Sequence, residues 1–214
     1  WGVDFLKYDF CFHPATLRPD TLYKRMALAL ANCGRDILLS ACSWGSENTK
    51  QWIKETGAGM WRSTGDINDS WESIKMLAQS QLKVQEYNGK GCFNDMDMLV
   101  VGMHGKGDNA EVLGNVIGGC TDTEYKTHFA LWAMKNSPLM IGCDVRKMTP
   151  ETKEILSNAD IIALNQDIEC RRPYCIRQWN NPENVFSLIR PLSSGEYAIG
   201  MFNFSDKTSE MSLQ

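Results

Sequence analysis

Three short stretches of this 214-residue chain combine side chains that can do acid–base or nucleophilic chemistry. In Lys7-Tyr8-Asp9, the lysine and the aspartate alternate with one residue between them, so on an extended strand both leave the same face. A cation beside a carboxylate favours the ionised form, and the ionised form is the one a nucleophilic carboxylate needs. The plain alternative is a structural ion pair at a strand end. In Trp61-Arg62-Ser63-Thr64-Gly65-Asp66, a rigid guanidinium fork able to grip hydroxyls precedes a carboxylate by four residues. The third stretch, Asn94-Asp95-Met96-Asp97-Met98, carries two acids of the same strand parity, for substrate contact or for support of Lys7 or Arg62. Paired carboxylates are the equipment of glycoside hydrolysis. One attacks the anomeric carbon and the other protonates the leaving oxygen, with a separation of roughly 5–5.5 Å for retention and about 6.5–9.5 Å for inversion. Trp44 and Trp61 offer flat apolar faces to a sugar ring, although plain core packing is the commoner use of such rings.

Elements must bring these groups together. The run 1–11 reads as a strand covered on both faces, because Val3, Phe5 and Leu6 are strand formers with little polar interruption. A helix follows from Asp20 or Thr21 to Ala31, with Gly34 as its stop. Next come a strand over 36–42, a loop Ser43-Trp44-Gly45-Ser46, a helix near 49–55, a short strand over 57–61 ending at Arg62, and a helix from Ser70 to about Leu82. The pattern continues with a strand over 91–101, a glycine-rich loop over 102–109, a helix opened by Thr121 or Asp122, a strand over 137–142, and a helix opened by Thr149-Pro150. A short element over 161–164 closes this part.

About five strand–helix units in succession mark a parallel α/β architecture. They are too few for a closed eight-stranded barrel. From Cys175 onward the pattern becomes antiparallel, with strands over 185–190 and 197–204 joined by a turn over 191–196. The expected organisation is a barrel-like part over 1–170 and the start of an antiparallel β domain over 171–214. Each parallel strand ends in polar groups, and in barrel folds the C-terminal strand ends form the active-site face.

Composition narrows the function classes. Hydrophobic residues make up 43% and charged residues 22%, which is core-forming, and a net charge of −4 with interspersed signs argues against a nucleic-acid surface. No apolar run is long enough for a membrane helix. The loop 102–107 lacks the lysine–serine end of a phosphate loop, and no GxGxxG follows a strand. His13, His104 and His128 with the eight cysteines show no metal-ligand spacing, so neither a metal nor a cofactor is expected. Cys170 and Cys175 could close a short loop, while Cys33 and Cys143 read as buried thiols, leaving the compartment open between secreted, lysosomal and cytoplasmic. A first residue that is Trp and opens directly into a strand implies an N-terminus farther upstream.

Lys7-Tyr8-Asp9-x-Cys11, Trp61-Arg62-x-x-x-Asp66-Ile67 and Asn94-Asp95-x-Asp97-Met98-Leu99 occur in the order and spacing of the α-galactosidases of glycoside hydrolase family 27, and Ala163-Leu164-Asn165-Gln166-Asp167 is similar to that family too. The chain resembles the family from residue 1 to about 205. The resemblance implies the C-terminal part of a (β/α)8 barrel, from about the fourth strand, followed by the beginning of an antiparallel β-sandwich. It implies a retaining hydrolase of terminal α-linked galactose on oligosaccharides or glycoconjugates, with a homodimer left open. Asp9 then matches the nucleophile and Asp66 the general acid/base. Lys7 and Arg62 match sugar-hydroxyl ligands, Met98 a wall of the galactose pocket, and Cys11 a cysteine whose disulfide partner lies upstream. Ser43 stands where relatives preferring plain galactose carry glutamate, which with Ser46 resembles the 2-acetamido-accepting relatives. An α-N-acetylgalactosaminidase is therefore the alternative, and a purely carbohydrate-binding or structural role the third reading. Ala58 occupies the place of the family's partner to Cys42.

Overall fold

The computed structural model describes residues 2–84, 87–106, 111–112, 115–116, 118–177 and 184–211. Four parallel strands, β1 (Phe5–Asp9), β2 (Leu38–Cys42), β3 (Met60–Arg62) and β4 (Phe93–Asp95), pair in chain order. Between them run α1 (Pro19–Ala31), α2 (Thr49–Trp52) and α3 (Trp71–Ser80). A small hairpin, β5 (Glu111–Val112) with β6 (Asn115–Val116), precedes α4 (Asp122–Met134), and α5 (Pro150–Leu156) and α6 (Ala159–Asn165) follow it. The antiparallel strands β7 (Tyr174–Arg177), β8 (Val185–Pro191) and β9 (Tyr197–Asn203) form a second sheet in that order. No helix among the described residues is long and apolar enough to cross a membrane.

Local chemistry explains the helix starts. Pro19 and Pro150 open α1 and α5, where the missing N–H costs nothing. Ser70, Thr149 and Asn158 cap α3, α5 and α6 through their side chains, and Thr121 with Glu124 makes a reciprocal capping box on α4.

Register fixes the faces. Tyr8, Ala41 and Trp61 share one rung, Leu6 pairs with Leu39, and all five pack outward among Phe10, Tyr23, Ile53 and Ala58. The inward rungs are Lys7–Ser40–Met60–Phe93 and, at the C-terminal end, Asp9–Cys42–Arg62–Asp95. A second core joins α3 and α4 to the antiparallel sheet, with Ile74, Leu77, Trp132, Phe186, Leu188 and Phe202 all buried in it. Arg190 on β8 ties the two together. Its buried guanidinium donates to the Ala133 carbonyl at the end of α4 (3.0 Å) and to Asn136 Oδ1 (3.1 Å), where a cation suits the helix dipole.

Several expected boundaries shift. The strand expected over 91–101 is only Phe93–Asp95, and the one expected over 137–142 reduces to a single bridge, Leu99 with Ile141. Asp97 takes a left-handed backbone (φ 84°) that ends the extended run. The element over 161–164 is the helix α6. All eight cysteines are free thiols, so Cys170 and Cys175 are not bridged. Cys33 is exposed in the turn after α1, and Cys143 is only half-buried.

Candidate active site

The last inward rung puts Asp9, Cys42, Arg62 and Asp95 side by side across four adjacent strands. Parallel strands in register end together, so one residue from each contributes to a single polar ledge. Asp66 lies on the loop leaving β3 and is drawn back to that ledge by Arg62, whose Nη2 donates to Asp66 Oδ1 at 2.7 Å. The pair is asymmetric. Arg62 is 2% exposed and Asp66 79% exposed, so a buried cation presents an open carboxylate to solvent. The other Nη1 of Arg62 meets Asp97 Oδ1 at 2.9 Å. Burial works against the Arg62 charge, but Asp97 and Asp66 outweigh it and hold the guanidinium firmly protonated.

Asp9 sits at the exposed end of β1. Burial pushes its carboxyl up, yet hydrogen bonds from the Cys11 thiol and N–H, the Phe10 N–H and the Cys42 thiol prevail and keep it below the ordinary aspartate value. Its Oδ1 accepts from Phe10 N at 2.7 Å and Cys11 N at 3.2 Å. Hydrogen bonds therefore hold Asp9 ionised, where the sequence had suggested the charge of Lys7. The Lys7 charge instead bears on Cys42 and Asp95. The exposed Cys11 thiol is pushed up chiefly by its bond to Asp9, with smaller contributions from burial and the charges of Asp9 and Asp66. Both carboxylates are thus within electrostatic reach of one thiol.

Asp95 differs from its neighbours. It is 8% exposed, and burial raises its carboxyl to about 6. The Asp97 N–H, Arg62 and Lys7 pull it down, and the Asp97 charge pushes it up. Asn94, on the same strand, turns outward and donates to Gln81 Oε1 at 3.0 Å, a structural bond.

Three expected contact residues sit elsewhere. Ser43 is fully buried and its hydroxyl bonds that of Thr49 at 2.6 Å, so it shapes its loop and has no surface for a ligand. Trp44 packs half-buried on the outer core, and Trp61 lies in that core outright at 1% exposure. The physical reason is parity. β2 ends at Cys42, which points inward, so the next residue turns away. Met98 is half-buried against the second core, its sulfur beside Gly142. Cys42 is the member of the ledge that spacing alone did not single out, and Asp97 takes the role of support for Arg62. Asp97 shares strand parity with Asp95, but the turn at Asp97 separates them and bonds the Asp97 N–H to Asp95 Oδ1 at 2.9 Å.

Comparison with known proteins decides the family. The family described as alpha galactosidase A matches residues 1–167. The chain belongs to that family. It is 42% identical over 206 residues to alpha-galactosidase 3 of Arabidopsis thaliana, covering 95% of this chain and 43% of that protein. A putative alpha-galactosidase/melibiase from Bacteroides fragilis superposes with a TM-score of 0.86 at 39% identity, over 95% of this chain and 44% of that one. A family 27 β-L-arabinopyranosidase from Geobacillus stearothermophilus superposes with a TM-score of 0.80 at 27% identity, over 98% of this chain and 47% of that one. The chain spans about half the length of the relatives it matches. Within this family, the four-stranded parallel sheet with its helices is a C-terminal segment of a (β/α)8 barrel, and β7–β9 begin the antiparallel sandwich.

Proposed function

We propose that the protein is a retaining glycoside hydrolase that removes terminal α-linked galactose by double displacement. The observation that carries this reading is the ledge at the C-terminal strand ends, where an ionised Asp9 and an Arg62-tethered Asp66 both lie within electrostatic reach of the Cys11 thiol. In the first displacement Asp9 attacks the anomeric carbon. The bond to the leaving oxygen breaks, and the Asp66 carboxyl proton passes to that oxygen. In the second, Asp66 takes a proton from water, and the water oxygen displaces Asp9. Lys7 binds sugar hydroxyls, the buried Arg62 holds Asp66 towards the ring, and Met98 lines the apolar side. The burial of Ser43, whose hydroxyl bonds that of Thr49, supports plain galactose over a 2-acetamido sugar.

In the full-length protein, Asp9→Ala and Asp66→Ala are each expected to reduce turnover of methyl α-galactoside, whose leaving group needs a proton, by at least about a thousandfold, the scale on which loss of a nucleophile or an acid falls. Near-normal turnover by Asp9→Ala would end the assignment. Proton NMR of the first-formed product should show the α anomer.

A further inference from the structure

Both carboxylate oxygens of Asp97 are engaged. Oδ1 accepts from Arg62 Nη1 at 2.9 Å and from the Met98 N–H at 2.8 Å, and Oδ2 accepts from the Ile67 N–H at 2.8 Å. Its own carbonyl accepts from the Trp132 indole N–H at 2.7 Å. Its backbone is in the left-handed region, an uncommon state for a residue with a side chain, and the surrounding bonds over-determine it. Trp132 is fully buried in α4, so the chain of contacts ends on a rigid element.

Two of these contacts lead to Asp66 by separate routes. Arg62 passes the first: one Nη holds Asp97 and the other holds Asp66. The Ile67 N–H passes the second, because Ile67 follows Asp66 directly and its backbone is pinned by Asp97 Oδ2. Ile67 is itself buried, which stiffens that anchor. Asp66, with its side chain largely in solvent, has no comparable hold of its own.

We propose that Asp97 is a positioning residue for Asp66: it fixes the Asp66 loop through Ile67 and shares the Arg62 guanidinium with it, so that the Asp66 carboxyl is held where a leaving oxygen would meet it. This rests on the reading of Asp66 as general acid given above. The charged and titratable groups around the pair are Arg62, Asp95 and Cys42 on the ledge and Cys11 beyond Asp9.

The test compares two substrates in the full-length protein. Dinitrophenyl α-galactoside leaves without a proton, and methyl α-galactoside does not. Asp97→Asn is expected to lower kcat/KM on the methyl substrate by about a hundredfold and on the dinitrophenyl substrate by less than about tenfold, because a misplaced acid costs only where protonation is needed. Asp97→Glu keeps the negative charge on a longer arm that displaces its contacts to Arg62 and Ile67, so the selective loss on the methyl substrate should persist. Equal losses on both substrates would overturn the proposal and leave Asp97 a fold support only. If Asp97→Asn does not fold, Asp97→Glu alone decides by the same selectivity. Asp66→Ala separates this from the underlying reading. A general acid predicts methyl-selective loss and recovery of turnover by azide, and absence of both rejects the role of Asp66 whatever Asp97 does.

Discussion

The Asp95 carboxyl should make stability depend on pH in a way that one substitution removes. Burial lifts it from an ordinary 3.8 to about 6 in the folded chain. A group whose folded value is raised contributes no penalty below its unfolded value, and the ionised form costs increasingly as pH rises through the folded value. At about 1.4 kcal/mol per pH unit, the interval amounts to about 3 kcal/mol of stability lost between pH 4 and pH 6 and constant thereafter. The group is only 8% exposed, so solvent screening takes little away. Asp95→Asn keeps the carbonyl oxygen that accepts the Asp97 N–H and removes the buried charge. The variant is expected to match wild type at pH 4 and to exceed it by about 2–3 kcal/mol at pH 7.5. Urea unfolding of both full-length proteins at pH 4, 5, 6 and 7.5 measures this. A difference that does not change with pH, or a variant that is weaker at pH 7.5, would refute the account of Asp95 as a carboxylate ionised at the cost of burial.

Two further outcomes follow from packing. Trp61→Phe should lower stability by about 1–3 kcal/mol through lost core volume, while KM stays within about twofold, because the ring lies in the outer core and its indole N–H has no partner there. A several-fold rise in KM would return Trp61 to the sugar. Tyr125→Phe should cost about 1–3 kcal/mol in urea, because the Tyr125 hydroxyl donates to buried Asp69 at 2.7 Å and accepts from the His104 N–H at 2.8 Å. No measurable loss would show that these groups find other partners.

The chemistry of the site was legible where residue type and local spacing suffice. Lys7 with Asp9 needs only the period of a strand, and Arg62 with Asp66 spans one short loop. The strand–helix alternation, the proline and threonine helix starts and the final hairpin are likewise local, because turn and cap chemistry is decided within a few residues.

Tertiary structure decided the rest, for two reasons. A one-residue error in a strand end reverses the face, which is why Cys42 joins Asp9 and Arg62 while Ser43 is buried beneath its loop. Charge states depend on groups far apart in the chain. The Cys42 thiol adds to the adjacent donors that ionise Asp9, burial raises Asp95, and Asp97 reaches Arg62 and Ile67 across thirty or more residues. The sequence by itself determined which residues could act and in what order they reach the strand ends. Only packing settled which of them face one another, because desolvation and hydrogen bonding exist only once the strands stand side by side.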